Sequence, residues 1–195
     1  MEDRKLTEKE SEELISIMIK NTRINQRAKF NCNILLTWGY VSFFVSLLVW
    51  IFKTTHIFQS SSLIWLLIPL ICIPVLIYQS NKDKGYTKSY IDKLIEYISI
   101  LFLLVCADIA FVIGYLNPVV TLPIEGILLS MWAVIIGLLI KYKPIIYGGI
   151  LGIIAAHELF FIDNTTNQIP FFVIIIAMSL IIPAHLLKNS IKKNS

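Results

Sequence analysis

Charge is what this chain has least of. Asp, Glu, Lys and Arg supply 15% of its 195 residues, against 56% hydrophobic ones, whereas a globular domain carries about a quarter charged residues. The deficit is concentrated in six nearly uncharged runs, roughly 34–52, 63–78, 95–116, 122–140, 145–162 and 170–187. Cysteine is also scarce. The three present, Cys32, Cys72 and Cys106, form no CxxC pair, which argues against both a disulfide framework and a thiolate metal site. Alternation of apolar and polar residues is missing, so a membrane β-barrel is not expected. The net charge of +4 comes without a basic surface on a reading fold, so no nucleic-acid partner is expected.

Each apolar run is long enough to cross a hydrocarbon core of about 30 Å at about 1.5 Å per residue. Helices are the economical solution there, because backbone N–H and C=O groups must be satisfied without water. The sequence therefore predicts an all-α polytopic membrane protein with six transmembrane helices. Its expected divisions are an N-terminal segment, 1–30, a transmembrane domain, 31–188, and a short tail, 189–195.

Basic residues set the orientation, since Lys and Arg accumulate on the cytoplasmic side. In a six-span arrangement sixteen of the seventeen fall on the side that holds both termini, and only Lys53 lies on the other. Both ends are thus expected to be cytoplasmic. The usage of Ile, Lys and Asn points to a bacterial inner membrane, and a charged, largely polar segment of thirty residues before the first run argues against a cleavable signal peptide.

"LTEKESEELISIMIKNTRINQRAK" opens with Thr7 and Glu10 at the spacing of a capping box. Leu14, Ile17, Met18 and Ile24 continue as one apolar stripe, with acidic residues early and basic ones late, matching the helix dipole. This is an expected cytoplasmic amphipathic helix, lying on the lipid bilayer or using residues 6–28 to meet a second copy or a cytoplasmic protein. In the second span, Pro69 and Pro74 predict a kink.

"YGGILGIIAA" places Gly148, Gly152 and Ala156 one turn apart in the fifth span. Small side chains let helices approach closely in lipid, so this stripe is expected to pack against a neighbour.

Asp108, Glu125, His157 and Glu158 lie inside the spans with no Lys or Arg beside them. Each is expected outward of the bilayer midplane, by roughly 4 to 9 Å at the helical rise. A carboxylate facing lipid costs at least about 2.5 kcal/mol, so these groups are expected to face a bundle interior or water. They are candidates for a cation- or proton-binding cavity, with Tyr115 and Trp132, each seven residues after an acid, as candidate lining. The metal such a site would take is left open, and the alternative is hydrogen-bond glue between helices.

A zinc protease of the H-E-x-x-H type needs a second histidine where this chain has Phe161. Asp163 cannot replace it, no G-x-S-x-G is present, and His185 lies at the other membrane boundary. No enzyme activity and no cofactor are expected.

"KPIIYGGILG", "IPAHLLK" and "LLTWGYVSFFVSLLVW" after an amphipathic segment resemble a family of small uncharacterised bacterial integral membrane proteins. The resemblance implies a six-helix membrane fold with a cytoplasmic N-terminal helix. It implies no chemistry. Two expectations of function follow: a non-enzymatic membrane or regulatory component, or a small transporter using the acidic cluster.

Overall fold

The computed structural model describes residues 12, 32–55, 61–82 and 90–194. The predicted amphipathic helix and its docking segment, 6–28, lie outside the described residues except for Glu12, which is helical and exposed. Every regular element among the described residues is helical.

Helix α1 covers Cys32–Thr55. A 3-10 helix, Ser61–Leu66, runs into α2, Leu67–Lys82. Then come α3, Tyr90–Leu116, α4, Pro118–Leu139, and α5, Lys143–Glu158, which ends in a 3-10 turn, Leu159–Phe161. The last rod is built from α6, Thr165–Ile176, a π-turn, Ala177–Ile181, and α7, Ile182–Asn194.

The chain is thus an all-α polytopic membrane protein. Among the described residues five stretches are long and apolar enough to cross a bilayer: Ile34–Thr55, Lys93–Leu116, Pro118–Leu139, Lys143–Phe161 and Thr165–Ile191. The second run differs from the others, being a shorter apolar helix, Ile64–Val75. Of its two prolines only Pro74 lies in the interior of α2. Pro69 falls in the first turn of α2, where a missing N–H is tolerated. The 3-10 piece rises faster per residue, so Ser61–Lys82 reaches roughly 36 Å, enough for a crossing.

Contacts between distant residues fix the directions of the helices. Tyr40 Oη lies 2.6 Å from His185 Nε2, joining the start of α1 to α7. At the other end Lys53 Nζ donates to Thr165 Oγ1 at 3.1 Å, joining the end of α1 to the start of α6. α1 and the α6–α7 rod are therefore antiparallel, and the described ends of the chain emerge on one face. Lys53, the basic residue the charge pattern isolates, lies at the opposite face.

Proline chemistry shapes the last rod. Pro183 has no N–H for the Ser179 carbonyl, and its ring crowds that group. One turn earlier the helix widens, and the Ile182 N–H bonds the Ala177 carbonyl, the i→i+5 link of a π-turn. Two helices grip this swelling. A Cβ on Gly39 of α1 would stand 2.8 Å from Ile181 Cγ1, and one on Gly148 of α5 2.7 Å from the Met178 oxygen.

Candidate functional site

The interior holds few polar side chains, and each has a local structural setting. Trp38, Phe102 and Trp132 bring α1, α3 and α4 together, with ring centroids 5.4 to 6.4 Å apart. Trp132 Nε1 donates to Ser99 Oγ at 3.3 Å, and Ser99 Oγ donates to the Ile95 carbonyl at 2.7 Å. Trp38 Nε1 and Ser130 Oγ are buried without a hydrogen-bond partner.

Gln168 is the most connected polar group. It is fully buried on α6, and the carbonyls of Val119, Leu159 and Ile162, 2.9, 3.1 and 2.8 Å from its Nε2, share that nitrogen's two N–H donors. Pro123 cannot offer Val119 the usual i+4 donor, and Leu159 and Ile162 lie at the end of α5, where carbonyls lose intrahelical partners. One amide therefore ties three segments. The sequence analysis does not single out Gln168; the signal is a glutamine at the polar edge of an apolar run, in a chain whose α4 contains a proline.

The small-residue stripe is buried, at Gly148, Gly152 and Ala156. A Cβ on Gly152 would collide with Ser130 Oγ and stand 3.1 Å from Ser179 Cβ. On Gly149 it would stand 2.6 Å from Val134 Cγ2 and 2.8 Å from the Ser130 carbonyl. α5 is therefore wedged between α4 and the π-turn rod, so close that a methyl group does not fit.

The four ionisable side chains share a level but not a direction. Asp108 and Gly126 each stand nine residues from Asn117, on either arm of the α3–α4 hairpin. A Cβ on Gly126 would lie 3.1 Å from Ala156 Cβ, which sets Glu125 beside the level of His157 and Glu158. Glu125 is half-buried, within electrostatic reach of Cys106 on α3. Asp108, His157 and Glu158 are exposed at the bundle surface. The His157 Nδ1–H donates to the Ile153 carbonyl at 2.8 Å.

Among the described residues no three His, Cys, Asp or Glu side chains are grouped to hold a metal ion. The two candidate lining residues are also apart: Tyr115 is 89% exposed at the end of α3, and Trp132 is 2% exposed in the aromatic cluster. Trp132 lies fourteen residues into α4, roughly 21 Å along the helix from the α3–α4 turn. A single cavity lined by both is not what the chain builds.

No protein-family model, curated protein or solved structure matches this chain.

Proposed function

We propose that this chain is a multi-pass component of a bacterial inner membrane, with both termini cytoplasmic and no catalytic activity of its own. Its working parts are the faces of its helices. The observation that carries this reading is the division of polar groups: the interior is closed by interlocking glycines and an aromatic cluster, while Asp108, His157 and Glu158 point out of the bundle. Acids on a lipid-facing surface cost at least about 2.5 kcal/mol each on the mildest scale. A protein that keeps them there gains if another membrane-embedded surface covers them.

A second reading is favoured by the common level of Asp108, Glu125, His157 and Glu158: a cation- or proton-binding layer serving transport. The two readings separate in proteoliposomes loaded with a pH- or Zn²⁺-sensitive dye. The component reading expects proton and metal entry no faster than in empty vesicles. Uptake that Asp108→Asn abolishes would replace it with the transport reading.

A further inference from the structure

The outward faces of α3 and α5 are written in the same pattern. On α3, Tyr97, Leu101, Leu104, Asp108 and Phe111 succeed one another at intervals of 4, 3, 4 and 3 residues, and all are exposed. On α5 and its 3-10 end, Tyr147, Leu151, Ile154, Glu158 and Phe161 repeat those intervals, and all are exposed too. Aromatic, aliphatic, aliphatic, acid, aromatic: the chemistry matches position by position, fifty residues apart. Spacing of this kind is the heptad seam along which parallel helices interlock side chains.

Three geometric facts say what covers these faces. Both helices run from the face that holds the chain ends toward the opposite one, so they are parallel. Both seams lie at one level, because Asp108 pairs in height with Gly126 and Gly126 meets Ala156. α4 packs against both α3 and α5, so the two seams belong to different sides of the subunit. Copies of a chain inserted in one orientation are related by rotation about the membrane normal, which preserves level and direction. Such a rotation carries the α3 seam of one copy onto the α5 seam of the next.

Charge complementarity selects this pairing over α3 against α3. Two α3 seams would set Asp108 against Asp108 with no base nearby, whereas α3 against α5 sets Asp108 opposite Glu158 with His157 beside the pair to take up a proton. The Ile153 oxygen can only accept, so His157 Nδ1 carries hydrogen and Nε2 is left for another partner. Nε2 can take the proton of an Asp108 carboxyl or, once protonated, donate to its carboxylate.

We propose that this protein self-associates head to tail in the bilayer, the α3 seam of one copy against the α5 seam of the next, with Asp108 meeting Glu158 and the neighbouring His157 of the second copy. The proposal rests on the component reading and names the surface that covers its outward acids. A single polar position in an apolar seam fixes register, as in soluble coiled coils.

The test is oxidative cross-linking in membranes, using chains whose three native cysteines are replaced by alanine. Leu104→Cys and Ile154→Cys, both at exposed positions, are introduced into differently tagged chains and co-expressed. The expected product is a mixed dimer carrying both tags, with either variant alone giving about tenfold less. Phe44→Cys, at an exposed position on α1, serves as the control and should not join to Ile154→Cys. Asp108→Ala in the Leu104→Cys chain should lower the mixed product by about tenfold. Self-linking of Leu104→Cys at the level of the mixed product would overturn the head-to-tail arrangement in favour of α3 against α3. Absence of the mixed product would overturn association through these faces altogether. Dye uptake tests the component reading separately, so cross-linking with uptake, or neither, tells which of the two ideas has failed.

Discussion

Gln168 Nε2 donates to the carbonyl of Val119 across 2.9 Å, the acceptor that Pro123 leaves without a helical donor. The same nitrogen serves the carbonyls of Leu159 and Ile162 at the end of α5. Gln168→Leu removes all three bonds, and buried acceptors left unmet cost about 1 to 3 kcal/mol. The variant should melt well below the parent in detergent. Pro123→Ala, by returning an N–H to Val119, should reduce that loss when the two changes are combined. Strict additivity in the double-variant cycle would show that the two residues do not share this carbonyl.

The glycines of the helix seam predict opposite outcomes for the same substitution. At Gly149 a methyl group meets the Ser130 carbonyl and the Val134 backbone nitrogen, at 2.8 and 3.0 Å, so Gly149→Ala should destabilise although alanine is the better helix former. At Gly114 the nearest atoms, on Thr121, are 3.8 and 3.9 Å away, and Gly114→Ala should raise stability by up to about 1 kcal/mol. Gly152→Leu should be worse than Gly149→Ala, since it drives a larger side chain into Ser130 and Ser179. Equal melting temperatures for the two alanine variants would show that the seam is not packed as described.

The α4–α5 turn carries Lys141 at φ 53°, the left-handed region that glycine favours. The Lys141 N–H bonds the Leu138 oxygen at 3.2 Å and the Tyr142 N–H bonds the Gly137 oxygen at 2.9 Å, the pair of bonds of a Schellman cap. Comparing Lys141→Gly with Lys141→Ala isolates the backbone. The glycine variant should be the more stable by about 1 kcal/mol, the scale of the left-handed penalty. A lower melting point for glycine than for alanine would contradict the cap.

The fold class was legible because it depends on composition and run length, and solvation of the backbone forces helices once a run is apolar. Sixteen lysines and arginines give an expected orientation, which the cysteine labelling below tests. The 3-10 start of α2 and the π-turn were not legible, since an apolar run reads alike whether its backbone closes i→i+3, i→i+4 or i→i+5 bonds. The level of the ionisable residues could be read by counting along spans. Their direction could not, because Asp108 and Glu158 are turned outward by the inward claims of Phe102 and Gly152, which lie roughly 120° round the same helices. Gln168 escaped notice for a similar reason: the carbonyls it serves come from two stretches of chain far apart in sequence, the start of α4 and the end of α5.

The membrane arrangement underlies every other statement, and cysteine accessibility on intact bacterial cells tests it most directly. In a chain freed of native cysteines, Thr55→Cys, Asn117→Cys and Asn167→Cys should each react with an impermeant maleimide, while Lys93→Cys and Lys188→Cys should react only after the cells are opened. Thr55 and Lys93 bracket the short second run, so opposite behaviour at these two positions means that Ser61–Lys82 crosses the bilayer. Labelling of Lys93→Cys from outside, together with Thr55→Cys, would mean that the second run does not cross, and would contradict the six-crossing bundle with both chain ends on the basic face.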